Sequence, residues 1–582
     1  MARRMCSWVL VIVAVSGFST GNLTPLSAAE GVLPADAIQE HLAAGEFAPA
    51  RRIAESLEDH AARDAQLAIV SRAQGNAGSP VSSLDTIGLM TDDRTRAAAL
   101  DNFGQQQDAA RVALGGVEVD FDGLMDLITS TVAPTTWEGV GGNGSMSPFE
   151  SGVRVDAGGV LRRVERKAST RLTALVKFEG ELRNEDLRVT DARRQSPLRK
   201  ISLPRLERAV QLRLAAGKPL TEEMRLLAGL ERIRYVMVYP QSGDLVLAGP
   251  AGDWKPSVEG RLVNAKSGRP VFQLDDLVVI LRRLWGEPEA TFGCSITPTQ
   301  EGLARTREFA EASSKTPLKP TGRDAWLATL RERLGRQKID VFHLDPRTRV
   351  AQVLVEADYR MKLVGMGLED GTAGVESYLD SIHIPAGQAP PPMDVLRWWF
   401  TMNYTSLVST PNRDGFEIRG QGVRVQCENE LINGQGERIH TGGASVSNQA
   451  FAASFTEHFA ALAKKYPVYA DLQNLFDLAL VIALIRGEGL ADLVGWHALC
   501  FGNEGEYEVL RGIAPKEVDT VMNHRVIDDK YVIVGVSGGV RVDPWQTVAK
   551  RAIEIDSYGK LKAERAVGSA KRGLESDRWW WD

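Results

Sequence analysis

The sequence predicts an α+β fold in several domains: an N-terminal helical hairpin, a central mixed α/β domain, and a C-terminal strand-rich domain with a buried helical hairpin. Three observations predict it. A chain of 582 residues exceeds what one core organises and allows three or four domains of about 150 residues. Helical and strand-like periodicities alternate through the centre, whereas strand-like runs cluster beyond it. The stretch "HIPAGQAPPPMD" separates the two as an extended connector. The predicted division is a leader over 1–29, a tetratricopeptide-like helical hairpin over 30–80, and a linker with a Trp/Gly segment and a basic stretch over 81–200. A central α/β domain over 201–370, a Pro-rich connector over 371–393, a C-terminal α+β domain over 394–560 and a Trp-containing tail over 561–582 complete it.

The N-terminus reads as a secretory signal peptide: Arg3 and Arg4, an apolar run from Trp8 to Val15, then small residues up to Ala29. The run is shorter than the roughly 20 residues that span a bilayer. Cleavage is expected after Ala29, which places the mature chain in the periplasm or outside the cell. Phe476 to Ile485 is also too short and carries Asp477, so it reads as a core helix, and no stable membrane span is expected. Losing the two leader arginines takes the formal net charge from −6 to −8, a balance that calls for no nucleic acid. Cys6 leaves with the leader. Cys294, Cys427 and Cys500 are too few and too far apart for a disulfide framework, although one pair stays open.

From Pro34 to Asn76, Ala50, Ile53, Ala54, Leu57 and Ala61 share one helical face, after a turn at "AGEF". That is one and a half repeat-type helices, short of the roughly three units a solenoid needs. Residues 75–116 read as a loose helical linker, and the glycines from Gly139 to Gly144 form a loop that lacks the Lys of a phosphate cradle. The basic runs "RRVERK", "DARRQSPLRK" and "PRLERAVQLR" read as a solvated linker that turns helical at Pro204; the sharper reading is a surface for an anionic ligand.

In the centre, "ERIRYVMVYPQSGDLVLAGPA" reads as a β-hairpin turning at Gln241 to Asp244. "FQLDDLVVILRRLW" reads as a helix. "ATFGCSITPTQEGLARTREFAEAS" reads as strand then helix, with Thr297 as N-cap, Pro298 at the first helical position and Gln300 closing a capping box. "KIDVFHLDPRTRVAQVLVEADYRMKLVG" repeats the unit, capped by Asp345, with an apolar stripe of Val350, Val353, Leu354, Ala357, Met361 and Val364. Glu356, Asp358, Arg360 and Lys362 fall mostly off that stripe and read as a solvated, i,i+4-paired face. Beyond the connector, "LRWWFTMNY", "GFEIRG" and "VRVQCENEL" read as strands with a turn at Asp414-Gly415. Phe451, Phe455, Phe459 and Leu462 then form a helical stripe shared by His458, Tyr466-Pro467 turns the chain, and Leu472 to Ile485 is apolar nearly all round.

Chemistry-bearing motifs are sparse. Gly535-Val536-Ser537-Gly538-Gly539 fits the pattern of a nucleophile elbow, but a strand, not a helix, follows it. It is expected to be a hairpin turn whose glycines supply positive φ. No two of the eight histidines share metal-ligand spacing on one element, so no metal and no cofactor is expected. Trp579, Trp580 and Trp581 are candidate contacts to a partner or glycan, or a strip that docks on its own domain. Cys294 and His343 each end a predicted strand; were those strands parallel, thiol and imidazole would meet at the carboxyl edge of a sheet as a nucleophilic site.

The runs "RYVMVYPQSGDLVLAGPAGDW", "FGCSITPTQEGL" and "LDPRTRVAQVLVEADYRMKLVGMGLE" resemble a domain-of-unknown-function family of exported planctomycete proteins. The resemblance extends from about Asp120 to Trp545. It implies location and architecture and names no site residue. The expectation is therefore an exported, soluble cell-envelope protein that binds or scaffolds without catalysis, its partner another envelope protein or an anionic surface polymer. The alternative is an envelope enzyme built on Cys294 and His343.

Overall fold

The computed structural model describes residues 34–76, 80–113, 145–149, 152–156, 162–165, 192–257, 260–287, 289–313, 322–382, 395–432, 437–512, 514–527, 530–549, 552–569 and 578–582. The expected signal peptide, the Trp137 and glycine segment and the Pro-rich run at 383–394 lie outside them.

The N-terminal unit is larger than a hairpin. It comprises α1 (Pro34–Ala44), α2 (Phe47–Glu55), α3 (His60–Asn76), α4 (Pro80–Gly88) and α5 (Asp93–Ala113). Ile87, Met90, Leu100 and Phe103 from the supposed linker join Ile38, Ala50, Ala54, Leu67 and Val70 in a core of their own. Alanine-rich, small-residue helices hold their shape by propensity and pack closely, which a search for large apolar residues overlooks. The turn between α1 and α2 and α2 itself seat this unit on the rest of the protein. Phe47 inserts into the main core, Arg51 and Arg52 both pair with Asp370 (2.8 Å for Arg52), and Glu46 pairs with Arg525 at 2.9 Å.

A small antiparallel sheet follows: β1 (Ser145–Phe149), β2 (Gly152–Asp156) and β3 (Arg162–Glu165). From residue 192 the chain builds one α+β body. In order come β4 (Ser196–Ser202), α6 (Leu203–Ala215), β5 (Tyr235–Tyr239), β6 (Asp244–Ala251), the ribbon β7 (Trp254–Pro256) and β8 (Leu262–Asn264), and α7 (Leu274–Gly286). Next are β9 (Phe292–Pro298), α8 (Gln300–Ser313), α9 (Arg323–Leu334), β10 (Gln337–Phe342) and α10 (Arg349–Gly365). The C-terminal part supplies β11 (Val395–Asn403), β12 (Ser406–Ser409), β13 (Gly415–Arg419), β14 (Gly422–Ile432), β15 (Arg438–His440), α11 (Val446–Glu457), α12 (Phe459–Lys465) and α13 (Pro467–Gly487). It closes with β16 (Glu517–Val518), β17 (Met522–Ile527), β18 (Lys530–Val542), β19 (Ile553–Ile555), α14 (Lys560–Gly568) and β20 (Trp580–Trp581).

The expected hairpin pairs Tyr239 with Asp244, and the helix predicted over 272–285 is present as α7. The predicted boundary between a central and a C-terminal domain is not a structural one. One sheet runs β15-β14-β11-β18-β9-β10-β16, with β17 on β18, and the other β19-β12-β13-β5-β6-β4-β20. Each mixes strands from both sides of the connector, and a single core runs through both. A two-strand pair such as β9–β10 leaves unpaired edges, and strands from 517–542 satisfy them.

Helix starts shift for the same reason. Pairing with β10 holds Thr297 and Pro298 in β9, so Thr299 caps α8 instead, its hydroxyl accepting from the Gly302 amide at 3.0 Å. Thr348, not Asp345, caps α10; Asp345 closes the preceding turn, its carbonyl accepting from the Thr348 amide at 3.0 Å.

Among the described residues one helix, α13, is long and apolar enough to cross a membrane, and it is buried throughout within the fold. Its buried charges and Gln473 are paired, as burial requires. Arg349 and Arg261 pair with Asp471 (2.6 Å for Arg349), Arg232 with Asp477 at 2.7 Å, and Arg269 donates to Gln473 at 2.6 Å.

Candidate functional site

Ser537 is not in a turn. It lies in the middle of the unbroken strand β18, fully buried, and neither Gly538 nor Gly539 has a positive φ. These glycines serve close approach. A Cβ on Gly538 would sit 2.2 Å from the Trp398 carbonyl oxygen and 2.7 Å from Asp358 Oδ1, and one on Gly539 would sit 2.1 Å from the Cys294 carbonyl oxygen. No helix follows, so the elbow is absent as the sequence implied, although by a different geometry.

Cys294 and His343 stand on antiparallel strands, not parallel ones. Cys294 faces Val341 across β9 and β10, and His343 leaves β10 with φ +63°. The imidazole is exposed, its Nδ1 donating to the Thr291 carbonyl at 3.0 Å, while the thiol is buried in the main core. Burial, with Asp358 nearby, pushes the Cys294 thiol far above its ordinary pKa, the opposite of an activated nucleophile. All three described cysteines are free.

The charges predicted to be solvated on α10 are inside. Asp358 and Lys362 are both fully buried and pair at 2.8 Å, and Lys362 Nζ also donates to the Ile296 carbonyl at 3.1 Å. Burial raises the pKa of Asp358 and lowers that of Lys362. Around α7 a second buried network forms, where Arg349 bridges Asp276 and Asp471. Burial pushes Asp276 up to about 7 against the pull of Arg349.

Trp579, Trp580 and Trp581 dock on their own body. β20 pairs with β4, Trp580 opposite Ile201, and all three indoles are buried. Arg199, fully buried, holds the Asp582 carboxylate through Nε at 2.9 Å and stacks over Trp580 at 4.5 Å. Several of the basic residues here are engaged by the body's own carboxylates: Arg193 pairs with Glu222 at 2.8 Å and Arg205 with Asp244 at 2.7 Å, while Arg194 stays exposed.

A constellation that no sequence spacing revealed lies at the β14–β15 edge. Glu428 and Glu430 alternate onto one face of β14, and His440 on β15 stands opposite Glu430. His440 Nδ1 lies 3.1 Å from Glu430 Oε1 and 3.3 Å from Glu428 Oε2. The outer oxygens are anchored: Ser537 Oγ donates to Glu430 Oε2 at 3.2 Å and the Gly442 amide to Glu428 Oε1 at 2.8 Å. Burial opposes ionisation of Glu428, but the Gly442 amide, His440 and Arg397 together hold its carboxyl below the ordinary value. The carboxylates are buried and the imidazole is exposed. The Glu-x-Glu alternation is the signal the sequence carries, but the three residues 438–440 have little strand periodicity of their own to place His440 beside it.

A family model described as a protein of unknown function (DUF1598) matches residues 294–378. That segment is a DUF1598 domain. The DUF1598 domain contains Cys294, His343, Asp358 and Lys362, and spans a shorter stretch than the resemblance drawn from Asp120 to Trp545. Because β9 and β10 pair with β18 and β16, the DUF1598 domain shares its sheet with strands outside it. No curated protein and no solved structure matches the chain significantly.

Proposed function

We propose that the protein is an exported, soluble component of the cell envelope that binds or scaffolds another envelope protein and performs no catalysis. The observation that carries this reading is the five-helix N-terminal unit, which has its own core and is seated on the α+β body by Phe47, Asp370 and Arg525. A helical unit with a core of its own has outer faces left over for a protein partner. The signal-peptide pattern of residues 1–29 supports export. An anionic surface polymer has less support, since Arg193, Arg199 and Arg205 are engaged by internal carboxylates. The buried, weakly acidic Cys294 thiol likewise gives the enzyme reading no support.

The test is fractionation of cells followed by co-sedimentation of the purified mature chain with isolated envelope, before and after protease treatment of that envelope. The reading expects a mature N-terminus at Glu30 and saturable, protease-sensitive binding that Cys294→Ala leaves intact. A chain recovered from the cytoplasm with Met1 attached, or one that stays in the supernatant, contradicts it.

A further inference from the structure

We propose that Glu428, Glu430 and His440 form a binding site for one divalent transition-metal ion, Zn2+ or Mn2+, and that Arg397 occupies its place when the metal is absent. The proposal goes beyond the scaffolding reading and does not depend on it.

The donors suit such an ion in kind and in spacing. Two carboxylates and an imidazole are an oxygen-and-nitrogen set, which favours first-row divalent metals. Metal–ligand bonds of about 2.1 Å put neighbouring ligands about 3.0 Å apart in an octahedron and about 3.4 Å apart in a tetrahedron. The 3.1 Å and 3.3 Å from His440 Nδ1 to the two carboxylate oxygens fall in that interval.

Two further observations point to a cation. Glu430 is fully buried, and its Oε1, the oxygen turned toward His440, receives no hydrogen bond. With Arg397 Nε no nearer than 4.0 Å, a carboxylate oxygen so placed has room for a closer positive centre. In addition, each carboxylate has its other oxygen fixed from outside, by Ser537 Oγ for Glu430 and by the Gly442 amide for Glu428, so the inner oxygens are held toward a common point. Outer hydrogen bonds of this sort orient metal ligands. The donors sit on paired strands, which keeps the triangle rigid.

Arg397 reports where the ion would go. Its guanidinium approaches the same three atoms: 3.3 Å to Glu428 Oε2, 3.4 Å to His440 Nδ1 and 4.0 Å to Glu430 Oε1. It also stacks on Trp399 at 4.7 Å and remains partly exposed, so it has a way out toward solvent. Arg438, 3.2 Å from Glu430 Oε2, touches the far oxygen and can stay. Metal and Arg397 therefore compete for one position. Three protein donors leave coordination positions for water or an external ligand.

The test is calorimetric titration of the full mature chain with ZnCl2 and MnCl2 at neutral pH, with circular dichroism to confirm folding of each variant. One equivalent of at least one ion is expected to bind. His440→Ala, at an exposed position, should weaken binding at least tenfold. Arg397→Gln should strengthen it severalfold, which a purely structural ion-pair cluster would not do. The proposal is overturned if neither wild type nor Arg397→Gln binds either ion saturably, if His440→Ala leaves the affinity unchanged, or if Arg397→Gln weakens it.

Discussion

Trp580→Ala probes whether the C-terminal tail is part of the core. Trp580 is 7% exposed, pairs through its backbone with Ile201 and lies beneath Arg199 at 4.5 Å and Arg578 at 4.9 Å. Truncating a buried aromatic to alanine costs about 3–5 kcal/mol, and the lost cation–π contacts add about 0.5–1 kcal/mol. With the β20 backbone still paired to β4, a total of about 4 kcal/mol is reasonable. An unfolding entropy of roughly 2 cal/mol/K per residue gives about 0.8 kcal/mol/K for a cooperative body of roughly 390 residues, so Tm should fall by about 5 °C. Circular dichroism melts of wild type, Trp580→Ala and the control Tyr558→Ala, at a residue 96% exposed, would measure it. If Trp580→Ala melts together with wild type and the control, the indole is not buried in the folded chain and the reasoning fails.

Two other perturbations address the buried charges. Lys362→Met leaves Asp358 unpaired in the interior and should cost about 3–5 kcal/mol in urea denaturation, while adding Asp358→Leu should recover most of the loss; strictly additive losses would contradict the pairing. Asp276 has its pKa raised from 3.8 to about 7, facing Arg349, Asp471 and Asp275. An acid that ionises later in the native state contributes stability that is complete below about pH 4 and is lost as pH climbs through 7. Relative to wild type, Asp276→Asn should therefore gain in Tm between pH 4 and 8, and parallel curves would count against the burial argument.

Local patterns in the sequence were legible where one element settles its own form. The hairpin at 235–251 announces itself by two β-branched runs around a Gly turn, and the all-apolar stretch inside α13 by its lack of a polar face. What could not be read was which distant segment covers which. Asp358 and Lys362 are spaced i,i+4, the same signature a surface pair has, and only the layers of β9, β18 and α13 on α10 make them interior. Gly538 and Gly539 look like turn glycines because close approach to Trp398 and Cys294 leaves no trace in spacing. The edge constellation needed the β14–β15 pairing before Glu430 and His440 could be seen as neighbours. The N-terminal array was undercounted because alanine and serine carry α4 and α5.

Alkylation of the native chain tests most directly the claim that its chemistry-bearing core residues are structural. Iodoacetamide at neutral pH, with the site of modification mapped by mass spectrometry, reads the state of Cys294. A thiol buried between Val341 and Val540, with its pKa raised, should stay unmodified until the protein is unfolded in denaturant, and His343→Ala should change nothing. Modification of Cys294 in the folded protein faster than a free cysteine, slowed by His343→Ala, would contradict the account and place an active site at the start of the DUF1598 domain.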